Sequence, residues 1–350
     1  MHIERFDPVA DTDKIRASYK LYVAGKPADD PDGPLASLPM FTGWFSLGWD
    51  QEPREAWLVP GDQDGAWAGG YLLELPAREN RHLAWASITV APERRRAGLG
   101  TRLLEHAAER AAQHGRTVLS AETREGSPGT AIAAAMGARR GVTEARRILR
   151  LADMPPGRLA ELRRQAEPAA RGYSLVSWLG SPPPEEYLDQ VAAVTNALAD
   201  APHSPGFEPE HIDAQRIRDS ARLITALGVR YYSVAASCDE TGELAGLTQL
   251  AVDPLAPDWG YQHLTAVARA HRGHRLGLLI KVAMMELLAE AEPGLERVIT
   301  GNADVNGHMI AINEALGFRV LDRWPHWQLD VTQVTQPAGS RAGEAAGAYR

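Results

Sequence analysis

The sequence predicts an α/β protein with a mixed sheet, built as two tandem copies of one α+β domain. Three observations support this fold class: an internal repeat of about half the chain, short apolar strands that alternate with amphipathic helices, and the same strand-to-helix corner in each copy. The length of 350 residues leaves room for two ordinary domains. We therefore treat the two halves as related units.

The repeat is clearest in the segments ITVAPERRRAGLGTRLLEHAAERAA (88–112) and TAVARAHRGHRLGLLIKVAMMELL (265–288). In each, a valine at a strand end is followed five positions later by an arginine, then by Leu-Gly and an apolar-periodic helix. Val90 and Val267 are 177 positions apart, and so are the two Leu-Gly pairs. Each copy continues with a strand, a short helix and a closing strand, ARRILRLA or HWQLDV.

This repeat predicts the domain organisation. We expect an N-terminal domain over 1–152 and a C-terminal domain over 172–331. A charged helix bracketed by Pro and Gly lies between them and predicts a linker over 153–171. Residues 332–350 lack apolar periodicity, which predicts a flexible tail.

Composition excludes several classes of partner. A net charge of -8 and an isoelectric point near 5.8 argue against nucleic acid or an anionic membrane, because these partners are attracted by a positive field. The single cysteine, Cys238, excludes an intramolecular disulfide and a multi-cysteine metal site. We expect a cytoplasmic protein with no metal, since the sequence shows no secretory apolar core and no membrane-spanning run.

The corner where each strand meets its helix is suited to an anion. The first turn of a helix carries unpaired N–H groups and the positive end of the helix dipole, glycine allows close approach, and arginine adds bidentate hydrogen bonds. In the second copy the candidate residues are Val267, Arg269, Arg272, Gly273, His274, Arg275, Leu276 and Gly277. In the first copy they are Val90, Arg95, Arg96, Ala97, Gly98, Leu99 and Gly100. Such residues can also merely cap a helix, but their repetition in register favours a pyrophosphate site.

The segment VAPERRRAGLG (90–100) resembles the signature of the GNAT superfamily of acyl-CoA-dependent N-acetyltransferases, which is Arg/Gln-x-x-Gly-x-Gly/Ala after a Val-x-Pro strand end. In the second copy the arginine and the last glycine match, and Arg275 replaces the middle glycine. The family's later Asn and Gly-Phe positions are filled by Asn306 and Gly317-Phe318. The two-copy layout is similar to that of tandem GNAT proteins, mycothiol synthase among them.

The resemblance implies a sheet splayed into a V, with acetyl-CoA as cosubstrate and coenzyme A as product. Its pantetheine arm would lie between the splayed strands, and the backbone N–H of Val267 would bind the oxyanion. Asn302 and Asn306 would meet this arm or cap the short helix. Many family members carry a tyrosine general acid at the position of Asn313. Asparagine cannot replace it as an acid but could bind the cosubstrate, through a hydrogen bond to the thiolate or the pantetheine. Either another group serves as the acid, or the thiolate leaves and is protonated by solvent.

The family's usual position for the base assigns the chemistry to the second copy. That position is Tyr261, with His263 two residues further along the same strand; the first copy has Ala84 and Ala86. Since alanine transfers no proton, we expect the C-terminal domain to be catalytic by direct attack of an amine on the thioester. His263 is the candidate base or a core histidine, and Tyr261 the candidate acid.

The acceptor is expected to be a small-molecule primary amine. The segment 197–213 carries Asp200 and His203, which are candidate substrate residues because an acidic stretch attracts a cation. The protein would act as a monomer or homodimer. The alternative from another class is a non-catalytic acyl-CoA-binding sensor or scaffold, since the tyrosine is missing from both copies.

Overall fold

The computed structural model describes residues 2–48, 50–62, 66–200 and 202–335, which form twelve strands and ten helices. The strands are β1 Glu4–Phe6, β2 Arg54–Pro60, β3 Trp67–Glu74, β4 Leu83–Val90, β5 Val118–Glu122, β6 Arg139–Arg150, β7 Tyr173–Leu179, β8 Arg230–Cys238, β9 Leu244–Asp253, β10 Ala256–Val267, β11 Arg297–Ala303 and β12 Arg319–Asp330. The helices are α1 Thr12–Asp29, α2 Leu38–Ser46, α3 Leu99–Gln113, α4 Pro128–Ala135, α5 Arg158–Ala166, α6 Leu188–Thr195, α7 Ala214–Leu227, α8 Leu276–Ala291, α9 Gly307–Leu316 and α10 Val331–Thr335.

The two copies have the same element order. The series β4-α3-β5-α4-β6 in the first half is matched by β10-α8-β11-α9-β12 in the second. The apolar stripes predicted for the long helices α3 and α8 are buried against the sheet, because their residues recur at helical spacing on one face. The predicted tail, 332–350, begins inside α10 (Val331–Thr335), and its residues after 335 lie outside the described residues.

All twelve strands belong to one sheet, ordered β1-β2-β3-β4-β5-β12-β6-β11-β10-β9-β8-β7. The closing strands of the two halves are therefore exchanged. Strand β12 lies beside β5 of the N-terminal half, while β6 pairs with β11 of the C-terminal half, and β6 and β12 also pair with each other. The repeat predicted both closing strands but not this exchange, since either strand has the pattern to complete either half.

Each half of the sheet opens into a V between two parallel strands. In the C-terminal half, β10 and β11 pair at Trp259–Tyr261 with Arg297–Ile299 and then diverge. In the N-terminal half, β4 and β5 pair at Leu83–Trp85 with Val118–Ser120. The splayed sheet implied by the resemblance is thus present in both halves.

The predicted linker is an ordered part of the structure. Helix α5 packs on α8, with Leu162 and Ala166 buried, and Arg163 Nε donates a hydrogen bond to Glu286 Oε1 at 3.0 Å. Helix α2 of the N-terminal half packs on α7 of the C-terminal half, with Met40 in one cluster with Leu223 and Leu227, so the halves are joined by packing as well as by the exchanged strands. Within the described ranges, none of the helices combines the length and apolarity needed to cross a membrane.

Candidate active site

The strand-to-helix corners lie at the open ends of the two V-shaped clefts. Helix α3 begins after Gly98 (φ +78°) and α8 after Arg275 (φ +53°), both in the left-handed region. Within the described part of the chain, no side chain caps either helix start, whereas Asn306 caps α9 by accepting a hydrogen bond from Met309 N at 3.3 Å. The first N–H groups of α3 and α8 are thus free to meet an anion.

The signature arginine of each corner fixes the backbone by a hydrogen bond to the last residue of the preceding strand. Arg95 Nε donates to the carbonyl oxygen of Val90 at 3.0 Å, and Arg272 Nε donates to that of Val267 at 3.2 Å. Each guanidinium also faces a carboxylate: Asp29 lies 2.8 Å from Arg95, and Asp200 lies 2.8 Å from Arg272. An arriving pyrophosphate would compete with these carboxylates for the arginines.

The glycines of the corner have two different roles. A Cβ on Gly277 would come within 3.1 Å of Ile312 Cδ1, so this glycine lets α8 and α9 pack closely. Gly273 has φ +89° and faces open space, which leaves the backbone accessible at the corner. The uncapped N–H groups, the open glycine and the surrounding side chains of Arg269, His274 and Arg275 fit a pyrophosphate such as that of acetyl-CoA.

A cavity of about 440 Å³ lies where β10 and β11 diverge. Its C-terminal wall contains His263, Thr265, Lys281, Asn302 and Asn306, among others. The N-terminal half contributes to the same cavity through Asn80 and Glu144. The candidate active site is therefore built by both halves of the chain.

His263 lines the cavity beside a bulge in β10. Gln262 pairs with Leu250 but Thr265 pairs with Thr248, so three steps along β10 match two along β9. The amide of Gln262 holds the bulge by donating to the carbonyl oxygens of Gln249 (2.6 Å) and Leu264 (3.2 Å). Burial lowers the pKa of His263 to about 4, so the imidazole is neutral at pH 7.

Tyr261 does not line the cavity, although it was expected in the site as the candidate acid beside His263. It occupies the last position where β10 still pairs with β11, opposite Ile299, and packs beside Met40 and Ile148. Its hydroxyl is buried without a hydrogen-bond partner among the described residues, and burial raises its pKa. Tyr261 lies in one lateral row with Ala251 and Tyr231, and the Tyr231 ring also lies 5.5 Å from that of His263, so Tyr261 and His263 share a face of β10 as expected. They differ in depth along the strand.

Lys281 is the functional candidate that sequence reasoning missed. It lies on α8 with 1% of its surface exposed, and it lines the cavity. Its Nζ donates to Asn313 Oδ1 at 2.7 Å, and Asn313 Nδ2 donates to Asn302 Oδ1 at 2.6 Å. Nζ also lies 5.1 Å from the ring centroid of Phe318, and burial lowers the pKa of Lys281 to about 7. The repeat contained a signal, because the equivalent residue of the first copy is Leu104.

The two candidate substrate residues lie in different places. Asp200 lies at the basic corner, 2.6 Å from Arg269, and its hydrogen bonds to Arg269 and Arg272 lower its pKa. It therefore belongs to the anion side of the cleft and not to the acceptor side. His203 is exposed at the cavity wall, with Nε2 3.0 Å from the carbonyl oxygen of Ala199.

The corresponding part of the N-terminal half lacks these polar groups. Leu104 and Ala133, which match Lys281 and Asn313, are buried apolar residues. Glu122 stands at the position of Asn302, and its Oε1 lies 2.7 Å from His326 Nε2 on the exchanged strand β12. The two halves thus share the corner but not the interior of the cleft.

Comparisons with known proteins agree with this fold. Residues 17–135 match the sequence profile of the Acetyltransferase (GNAT) family. A tandem GNAT protein from the clavulanic acid biosynthesis pathway, solved without AcCoA, is 29% identical, with a TM-score of 0.78 over 94% of this chain and 98% of that one. A GCN5-related N-acetyltransferase from Sphaerobacter thermophilus is 17% identical, with a TM-score of 0.65 over 94% and 95% of the two chains. The search of curated protein sequences gave no match.

The protein thus has the fold of the acetyltransferases of the GNAT family. The profile match lies in the first half, and nearly the whole chain is similar in structure to a tandem GNAT protein. Acetyl-CoA is the cosubstrate typical of this family. The family profile covers the N-terminal half, whereas the polar cavity lies in the C-terminal half.

Proposed function

We propose that the protein is an acetyl-CoA-dependent N-acetyltransferase that acetylates a primary amine of a small molecule, with the C-terminal domain catalytic. The observation that carries this proposal is the contrast between the two clefts. Lys281, Asn302 and His263 line a cavity in the C-terminal V, while the equivalent positions in the first copy are Leu104, Glu122 and Ala86.

The C-terminal corner would hold the cosubstrate. The N–H groups of Leu276 and Gly277 would bind the pyrophosphate together with the side chains of His274 and Arg275, and the backbone of Val267 would face the acyl group. The cosubstrate supplies an activated acyl group as a thioester. The chain's own residues then orient the acceptor, exclude water and move protons.

Carboxylates make the acceptor side of the cavity suitable for a cation. Glu144, Glu208 and Glu210 line it, and Glu210 also lies 3.1 Å from Arg216. Asn80 fixes this wall: its Nδ2 donates to the carbonyl oxygen of Glu208 at 3.0 Å, and its Oδ1 accepts from the N–H of Glu208 at 2.8 Å. A protonated amine would be attracted here before it loses its proton.

His263 would accept a hydrogen bond from the incoming amine. With a pKa of about 4 it carries no proton at pH 7, but full protonation at that pH would cost about 4 kcal/mol. It therefore serves better to orient the nitrogen than to store its proton. The expectation that His263→Ala lowers turnover and leaves acetyl-CoA affinity nearly intact remains a prediction.

A calorimetric titration with acetyl-CoA tests the assignment of the two halves. Arg272→Ala and Arg95→Ala are a matched pair, because both arginines make the same bond to a valine carbonyl. We expect the site that supports turnover to be lost in the first variant and kept in the second. A second site, lost only in Arg95→Ala, would give the N-terminal half a cofactor-binding role.

Release of free CoA in the presence of a panel of small amines tests the reaction itself. We expect release with at least one amine and none without an acceptor. Binding of acetyl-CoA without release for any amine would favour the alternative, an acyl-CoA-binding sensor or scaffold. That alternative is motivated by Asn313, which stands where many family members carry the tyrosine acid.

A further inference from the structure

The cavity contains six titratable side chains, and their environments separate their roles. Three are the carboxylates Glu144, Glu208 and Glu210 on the acceptor side, and two are His203 and His263. His203 is exposed and already bonded to a main-chain carbonyl, while His263 is buried and neutral. Lys281 is the sixth; it is 1% exposed, and its ammonium can donate a proton into the cavity.

We propose that Lys281, oriented by Asn313, is the catalytic acid of this site and gives its proton to the departing sulfur of coenzyme A. This inference rests on the proposed function. As the N–C bond forms and the C–S bond breaks, Lys281 Nζ loses a proton to sulfur. The neutral Nζ then takes up the proton released by the acylated nitrogen, so that amine and thioester give amide and thiol, and Lys281 returns to its starting state.

The geometry around Lys281 supports this role. Helix α8 begins at the anion corner and carries Lys281 on its cavity side, so one helix presents both the anion-binding N–H groups and the acid. Asn313 is fully buried and is itself fixed by Asn302, which leaves the ammonium one defined acceptor. No carboxylate among the described residues is bonded to Lys281, so its remaining N–H groups can serve a developing thiolate.

A buried ammonium is costly unless a negative charge arrives beside it. Its neighbours are Asn313 on α9, Phe318 before β12 and Asn302 on β11, all uncharged; the cavity's carboxylates and His263 lie on other elements. A thiolate formed next to Nζ would therefore be stabilised in the absence of a competing anion. The site would also lose this acid as the pH rises above about 7, since burial lowers the pKa of Lys281 to about 7.

Binding of CoA, the product, tests the proposal without turnover. A free thiol has a pKa of about 8.5, so CoA at neutral pH is mainly the thiol. An ammonium placed at the sulfur, as the proposal requires, lowers the pKa of the bound thiol when no acylated nitrogen is present, so we expect the wild-type protein to bind CoA with an increase in thiolate ultraviolet absorbance. Lys281→Met should abolish this absorbance change and leave CoA affinity within about threefold, while Leu104→Met, the matched change in the first copy, should keep it.

Turnover provides the second readout. Lys281→Met should lower kcat by about 100-fold, the usual effect of losing a general acid. Asn313→Asp keeps the ammonium and places a carboxylate beside it, so we expect the alkaline limb of the kcat profile to move to higher pH. A lysine that only fills space would not produce this shift.

The outcomes separate the two proposals. If Lys281→Met binds CoA and turns over like the wild type, Lys281 is not the acid, although the transferase assignment stands. If mass spectrometry finds an acetyl group on Lys281, and this group is transferred to the amine when the acceptor is added, Lys281 is a nucleophile and the proposal is overturned. If the wild-type protein binds neither CoA nor acetyl-CoA, the proposed function itself fails. A melting temperature of the Lys281→Met variant that equals or exceeds that of the wild-type protein would exclude misfolding as the cause of lost activity.

Discussion

Lys281 and His263 are both buried basic side chains, and both affect stability through the same physical effect. Burial disfavours the charged form, so each has a pKa below that of the unfolded chain. Folding then depends on pH in a direction that can be stated for each residue. This dependence can be measured without knowledge of the substrate.

Lys281→Met should raise the stability of the protein at neutral pH. Burial lowers the pKa of Lys281 from 10.5 to about 7, so below pH 7 the folded state bears the full cost of the buried charge. Between pH 7 and 10.5 the unfolded chain binds more protons, and stability therefore rises with pH; above this range the cost is absent. We expect the free energy of unfolding at pH 7 to increase by a few kcal/mol, at most about 5, in urea titrations. A loss of stability would mean that the Lys281–Asn313 bond outweighs the cost of burial.

His263→Gln should make the protein more resistant to acid. Burial lowers the pKa of His263 from 6.5 to about 4, so the unfolded chain binds the extra proton as the pH falls through this range. The wild-type protein should lose up to about 3 kcal/mol from this group between pH 6.5 and 4. Urea titrations at pH 7 and 4.5 should show a smaller loss in the variant. His203→Gln changes an exposed histidine of the same cavity and should leave the loss unchanged; equal losses in all three proteins would contradict the prediction.

At this scale the sequence predicted part of the site. His263, Asn302 and Asn306 were expected in the cleft, and they do line the cavity. Tyr261 shares the strand face of His263 but lies where β10 still pairs with β11, and the point at which the two strands diverge depends on long-range pairing. Lys281 lies within the apolar stripe of α8, and apolar periodicity does not mark a single polar residue in such a stripe as functional. The signal was the difference between the two copies, since the first copy has Leu104 at this position.

The strand-to-helix corner is the element that the two copies share most closely, and each corner needs two residues in the left-handed region. In the first copy these are Arg96 (φ +65°) and Gly98 (φ +78°); in the second they are Gly273 (φ +89°) and Arg275 (φ +53°). The glycine and the arginine have thus changed places. In the sequence, the exchange of glycine and arginine is visible only as a departure of the second copy from the signature. The sequence could not show that both corner positions need positive φ.

Glycine substitutions at the arginine positions should therefore be stabilising. Arg275→Gly and Arg96→Gly each remove a residue that is strained by about 1 kcal/mol, although Arg275→Gly also loses the 3.0 Å bond from Arg275 Nη1 to the carbonyl oxygen of Gln165. Gly98→Ala and Gly273→Ala should cost about 1 kcal/mol each, because a Cβ there meets open space and the penalty is purely conformational. Urea midpoints of the four variants measure both directions. Unchanged midpoints for the alanine variants would show that the corners relax on substitution.

At the scale of the whole molecule, the exchange of β6 and β12 decides how the halves depend on each other. The elements were predictable because their patterns are local: α3, α8 and the closing strands all appear where the repeat placed them. The exchange was not, because two strands of similar pattern follow similar helices, and the choice of partner depends on contacts far apart in sequence. The composite cavity, with Asn80 and Glu144 from the first half, follows from the same pairing.

The exchange predicts that the two halves hold together after the chain is cut between them. A protease site placed in the loop 154–157, between β6 and α5, would separate residues 1–153 from the rest. Strand β6 would stay paired with β11 over Glu144–Arg150, and β12 would stay paired with β5. We expect the cleaved protein to elute from gel filtration as one species with near-native circular dichroism, and to separate in denaturant.

Each half expressed alone should fail to fold into a stable unit. Without its partner, the N-terminal half would expose β5 as an edge, and its own β6 would have neither β11 nor β12 to pair with. Mixing the two halves during refolding should restore the circular dichroism spectrum of the intact chain and, if the proposed function is right, its acetyl-CoA binding. A half that unfolds cooperatively on its own, with a midpoint close to that of the intact protein, would show that its closing strand can return to its own sheet. In that case each half would fold without the other, and the exchange of β6 and β12 would be needed only to assemble the two halves into one sheet.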